Sequence, residues 1–67
     1  MFVQLPNSDT LVEAAYVISI SLEKVRDYSE IYVTMIDGSV FIIKADNTTG
    51  CTLQNVVQLI NKGKKWN

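Results

Sequence analysis

The sequence has no histidine and only one cysteine, Cys51. Without histidine the chain lacks the side chain that most often moves protons near neutral pH, and the commonest protein ligand for zinc. With one cysteine it can form no intrachain disulfide, so it is not a small secreted scaffold held by such bridges. Charge is scarce and balanced, six Lys and Arg against seven Asp and Glu, a net of −1. No long-range field of either sign would recruit nucleic acid or an anionic membrane. The three glycines, Gly38, Gly50 and Gly63, are isolated, which leaves no glycine-rich phosphate loop. Met1-Phe2-Val3 carries no basic n-region, and Pro6-Asn7-Ser8-Asp9 soon interrupts the start, so neither a signal peptide nor a spanning helix is read. A soluble, cytoplasmic protein with no membrane partner is expected.

What the chain does have is apolar surface, 48% of its 67 residues. A single small domain over 1–67 is expected, and one of this size buries only about 60% of the surface its unfolded chain exposes. Disulfides being excluded, and no metal or other cofactor being indicated, self-association is the remaining way to complete a core. A homo-oligomer follows as the expected state.

The strongest local instruction lies between Ile31 and Ala45, IYVTMIDGSVFIIKA. Two runs of β-branched and aromatic residues flank Asp37-Gly38, the composition of a two-residue type I′ hairpin turn. That turn sets a register in which Met35 faces Val40, Thr34 faces Phe41, Val33 faces Ile42 and Tyr32 faces Ile43. Ile31, Val33, Met35, Val40 and Ile42 then form a core face. Tyr32, Thr34, Ile36, Phe41 and Ile43 form a second face, nearly as apolar, which is the expected partner or oligomer interface.

Before the hairpin, Phe2 to Leu5 reads as a brief edge strand ended by the turn cluster at Pro6-Asn7-Ser8-Asp9. Thr10 to Ala15 fits two readings. Thr10 and Glu13 have capping-box spacing, while Leu11-Val12 could extend a ribbon. Tyr16, Ile18, Ile20 and Leu22 alternate with Val17, Ser19, Ser21 and Glu23, which predicts a strand with a wet outer face. Asp27 to Glu30 is read as the turn into the hairpin. After a loop at Asp46 to Gly50, Leu53, Val56, Val57 and Ile60 recur at helical spacing, with Thr49 or Thr52 as cap and Gly63 as the left-handed terminator. The fold class is therefore α+β: an antiparallel meander of three firm strands, one or two short N-terminal strands, and a C-terminal helix on one face. The opposite face is open to a second chain or to the N-terminal segment. In outline, from Thr10 to Ile60, the strand at Tyr16 to Leu22, the hairpin at Ile36-Asp37-Gly38-Ser39 and the short helix resemble small phage-encoded and bacterial regulatory proteins, including the flagellar FlbD type. No family-diagnostic residue set accompanies that outline, so no functional residue is carried over.

Few residues suggest chemistry. The acids Asp9, Glu13, Glu23, Asp27, Glu30, Asp37 and Asp46 sit mainly at turns, where carboxylates are solvated rather than paired for acid–base work. Cys51 lies near a helix start that could lower its pKa, but no histidine is present to activate it. Asn47-Thr48-Thr49 matches a glycosylation sequon and is read as a turn. Gly50, Cys51 and Thr52 lead into a helix N-terminus whose free N–H groups could hold a phosphate, with simple capping as the competing reading. Lys62, Lys64, Lys65 and Trp66 combine positive charge with a stacking ring, or else form a solubilising end. The expectation is a noncatalytic, homo-oligomeric binding module that regulates or inhibits another macromolecule, of the kind phages and plasmids encode as accessory or anti-defence proteins. A sponge for a small anionic or nucleotide ligand at protomer interfaces is the first alternative. Weak nucleic-acid binding through the Lys/Trp tail is the second.

Overall fold

The computed structural model describes residues 1–65, so the expectation placed on Trp66 lies outside the described residues. The elements follow as β1 (Phe2–Gln4), β2 (Leu11–Glu13), a 3-10 turn (Ala14–Tyr16), β3 (Val17–Val25), β4 (Tyr28–Met35), β5 (Val40–Lys44), a second 3-10 turn (Asn47–Thr49) and α1 (Leu53–Lys64). β1 and β2 form a two-stranded antiparallel ribbon, and β3-β4-β5 an antiparallel meander, so the α+β class read from sequence is the one the chain adopts. Of the two readings of residues 10–15 the ribbon holds for Leu11–Glu13, which pairs with β1, while the capped helix does not form and Ala14–Tyr16 makes only a single 3-10 turn.

The β3–β4 turn is tighter than expected. Val25 pairs with Tyr28, Lys24 with Ser29 and Glu23 with Glu30, leaving only Arg26-Asp27 as the loop, with Arg26 at φ 53. At the other end of β3 the register shifts between Val17 and Ser19, so Ile18 is the extra residue of a β-bulge. The bulge inverts the alternation there. Val17 enters the core at 3% exposure, while Tyr16 and Ile18, expected inside, are 57% and 62% exposed.

The β4–β5 hairpin corrects the expected register by one residue. Thr34 pairs with Val40, Val33 with Phe41, Tyr32 with Ile42 and Ile31 with Ile43. The cause is the turn. Gly38 N–H donates to Met35 O at 2.9 Å and Met35 N–H donates to Ser39 O at 2.8 Å. Ile36-Asp37-Gly38 is thus a three-residue loop, a type I turn closed by a bulged glycine, and not the two-residue type I′ turn. Positive φ is needed only at Gly38 (φ 90), while the Asp37 carboxylate accepts from Ser39 N–H at 2.9 Å and Ser39 Oγ–H at 2.6 Å. Because side chains alternate with period two, the one-residue slip exchanges the faces of β5. Ile43 is buried and Phe41 half-buried on the core side, whereas Val40 and Ile42, expected in the core, are 46% and 52% exposed.

A Cβ at Gly38 would meet no atom within 4 Å, so substitution there costs only backbone strain. Gly38→Val should destabilise by about 1 kcal/mol, roughly 4–8 °C in melting temperature, and Gly38→Asn by less because asparagine tolerates the left-handed region. Thermal melts of the two variants check this, and a Gly38→Val transition superimposable on the parent's would contradict the turn geometry.

α1 and the β1–β2 ribbon both pack on the side of the sheet that presents Ile31, Val33, Met35 and Ile43. Val56 and Ile60 from the helix, Leu5, Val12 and Ala14 from the ribbon region, and Cys51 complete one contiguous core. The N-terminal segment therefore lies beside the helix rather than across the opposite face. Thr52 caps α1, its hydroxyl accepting from Asn55 N–H at 3.2 Å. Gly63 does not terminate the helix as expected. It lies within the last turn, fully packed, where an added Cβ would stand 2.6 Å from Ala14 Cβ and 3.0 Å from Val3 Cγ1. The missing side chain is what lets the ribbon and the helix touch.

Candidate functional site

The five residues expected to form one interface are divided between surfaces. Tyr32 and Thr34 do lie on the sheet face opposite the helix. Phe41 and Ile43 belong to the core side, and Ile36 is in the turn loop, 67% exposed. The correction follows from the three-residue loop: Val40 and Ile42 take the open-face positions that a two-residue loop would have given to Phe41 and Ile43. That face is also less apolar than expected. Exposed Ser19, Ser21 and Glu23 of β3 share it with Tyr28, Glu30, Tyr32 and Thr34 of β4 and with Val40, Ile42 and Lys44 of β5. The Lys44 ammonium sits 5.0 Å from the centre of the Tyr28 ring, in cation–π range. Tyr32 O–H donates to Glu30 Oε1 at 3.3 Å. Loss of hydration, then the Glu30 charge, pushes the phenol above its ordinary value, so it remains a neutral donor.

A second apolar surface lies where the ribbon meets the tip of the β4–β5 hairpin. Pairing of Val3 with Val12 turns those two side chains inward, so Phe2 and Leu11, one position removed, face out. The 3-10 turn then brings Tyr16 alongside, and Ile36 N–H donates to Tyr16 O at 2.8 Å, locking the hairpin loop against the turn. Between them runs a groove of about 440 Å³, with Val12, Met35 and Phe41 at its floor and walls. Phe2 (67%), Leu11 (60%), Tyr16 (57%) and Ile36 (67%) rim it largely exposed. At roughly 200 Å² for each such residue, the four expose on the order of 500 Å², near the upper size of apolar patches on monomeric proteins. Two carboxylates border it. Glu13 is engaged by the Met1 ammonium at 2.6 Å, while the Ser39 hydroxyl and N–H hold the Asp37 carboxyl below its usual range, so Asp37 is ionised at neutral pH. Of these residues Ile36 and Phe41 were anticipated as interface residues, Phe41 on the opposite face of the sheet, and the rest were not. The missed signal is the ribbon itself: an antiparallel hairpin turning at Pro6–Asp9 puts Phe2 and Leu11 on its outer side.

The residues considered for an anion site do not come together. Gly50, Cys51 and Thr52 precede the first turn of α1, whereas Lys62, Lys64 and Lys65 lie at its far end, about 18 Å of helix axis away. At the N-terminal end Thr52 already occupies the Asn55 N–H, and Asn55 Nδ2 donates to Gly50 O at 2.8 Å. Asp46, bridged to Cys51 and held below its usual carboxyl range by the Thr48 hydroxyl and N–H, adds negative charge there. Lys64 spends its ammonium on Val17 O at 2.8 Å.

Cys51 is fully buried, with its Sγ 3.9 Å from Pro6 O. Burial, and then the Asp46 charge, push its thiol pKa up, the reverse of what a nucleophile needs. Among the described residues no three His, Cys, Asp or Glu side chains gather in a way that could hold a metal ion, and no helix is long and apolar enough to cross a membrane. No protein-family model, curated protein or solved structure matches the chain, so the likeness to small phage and bacterial regulatory proteins rests on the order of elements alone.

Proposed function

We propose that this chain is a noncatalytic, self-associating binding module of the cytoplasm that regulates or inhibits another macromolecule by gripping it in the groove between Leu11 and Ile36. The observation that carries the reading is the groove, where four large apolar side chains stay more than half exposed around a preformed floor. A surface of that kind is desolvated when a partner's apolar side chains enter it. The ionised Asp37 at its edge favours a partner segment whose apolar anchors are flanked by a lysine or arginine. A thiol that is buried and whose pKa burial pushes up, together with the lack of histidine, supports a noncatalytic role. The single unpaired cysteine accords with a reducing compartment.

Leu11→Glu and Ile36→Glu alter exposed positions and should leave the far-UV circular dichroism unchanged. Each should weaken binding of a macromolecular partner recovered from the native source by at least about tenfold, the scale of a central interface residue. Ser21→Glu, on the opposite face, should bind as the parent does. Equal recovery of the same partner by parent and both groove variants would overturn the assignment.

A further inference from the structure

We propose that the free edge of β5 pairs with β5 of a second copy, antiparallel about Ile42, to make one continuous six-stranded sheet. This rests on the self-association part of the function proposed above and gives it a geometry. β5 is an outer strand of the meander. Met35 N–H donates to Ser39 O and Ala45 N–H donates to Ser29 O, both at 2.8 Å, so every second residue from Ser39 to Ala45 bonds inward to β4. The alternation of an antiparallel ladder then points the N–H and C=O groups of Val40, Ile42 and Lys44 outward. Among the described residues no turn, loop or side-chain hydrogen bond reaches those groups.

The other edge of the sheet is guarded and this one is not. β3 carries the bulge at Ile18, the charged pair Glu23 and Lys24, and the Lys64 ammonium on Val17 O, all of which obstruct a further strand. β5 has no proline, glycine or bulge, and its one charge, Lys44, is drawn over the Tyr28 ring. A second copy fits because the strand is self-complementary. Centred on Ile42, the pairing gives Val40, Ile42 and Lys44 each a bonded partner, with Val40 opposite Lys44 of the other copy. Centred on Lys44 it would set two ammonium groups against each other, and centred on Val40 it would leave Lys44 unpaired. The same register extends an apolar row across the junction, since Tyr32 neighbours Ile42 in each copy. Few side chains are covered, so the interface falls at the small end of specific ones and association in the micromolar range is expected.

Sedimentation velocity at tens of micromolar should show a dimer that dissociates on dilution. Ile42→Pro removes only an outward N–H, leaving the β4 ladder whole, and should be monomeric with unchanged circular dichroism. Ile42→Lys changes no backbone group, sets like charges face to face, and should also be monomeric, which gives the same reading if the proline variant does not fold. The outward amides of Val40 and Lys44 should exchange hydrogen at least about tenfold faster in the Ile42→Lys monomer than in the parent dimer, while the inward amide of Phe41 stays slow in both. Leu11→Glu should remain dimeric, so edge pairing and groove binding fail separately. A parent monomeric throughout, a dimer that survives Ile42→Lys, or a dimer whose outward amides exchange freely would each overturn the proposal.

Discussion

Gly63→Ala should destabilise the fold by about 2 kcal/mol or more, far beyond what a glycine-to-alanine change within a helix would otherwise do. In an ordinary helical position alanine is the better residue by about 1 kcal/mol. Here the added methyl would stand 2.6 Å from Ala14 Cβ, 3.0 Å from Val3 Cγ1 and 3.4 Å from Met1 O. None of these neighbours is the far end of a long side chain that could swing aside. Ala14 is completely buried, and Ala14 N–H donates to Met1 O at 3.0 Å, which ties the 3-10 turn to β1. To admit the methyl, the ribbon must move away from α1, opening the core around Val3, Val12 and Ile60 and displacing the Phe2 and Leu11 rim of the groove. The effect should show as a lower midpoint in urea denaturation and, for Gly63→Val, as loss of the folded state. Coupling identifies the cause. Ala14→Gly in the Gly63→Ala background should restore part of the loss, so that the two changes together cost less than their sum. Strict additivity would mean that Gly63 acts through backbone conformation and not through this contact.

This glycine shows where the sequence was legible and where it was not. The elements could be read because each is specified locally: the 3.6-residue recurrence of Leu53, Val56 and Ile60, the Thr52 cap, the turn residues Pro6 to Asp9, and the β-rich runs around Asp37-Gly38. Gly63 near a helix end looks the same whether it caps or packs, and only the tertiary position of Ala14 separates the two. The face assignment failed for a related reason. Asp-Gly suits both a type I′ turn and a type I turn with a bulged glycine, the two differ by one residue of register, and that residue decides which half of β5 is buried. The bulge at Ile18 likewise leaves no trace in an uninterrupted run of alternating residues. The groove went unread because its rim comes from four segments, the outer side of β1, β2, the 3-10 turn and the hairpin loop, each carrying one exposed apolar residue of a kind that singly means nothing.

The register makes two adjacent isoleucines respond oppositely to charge. Ile43→Glu should destabilise by about 4 kcal/mol or more, enough to leave a chain of this size largely unfolded, because it places a carboxyl without a partner in the core. Ile43 is 7% exposed, within the same buried cluster as Ile31, Val33 and Val56. Ile42→Glu should cost less than about 1 kcal/mol, since Ile42 is 52% exposed on the open face. Urea denaturation at low protein concentration, where edge pairing does not contribute, compares them directly. The pH dependence carries a further sign. Burial raises the folded-state pKa of the introduced carboxyl above its unfolded value, so the native state of Ile43→Glu binds the proton more readily. Its penalty should be greatest above that raised pKa and should shrink as the pH falls toward the ordinary carboxyl range, whereas Ile42→Glu should show no such relief. The reverse ranking, with Ile42→Glu unfolded and Ile43→Glu tolerated, is what a two-residue turn at Asp37-Gly38 would produce, and it would refute the three-residue loop.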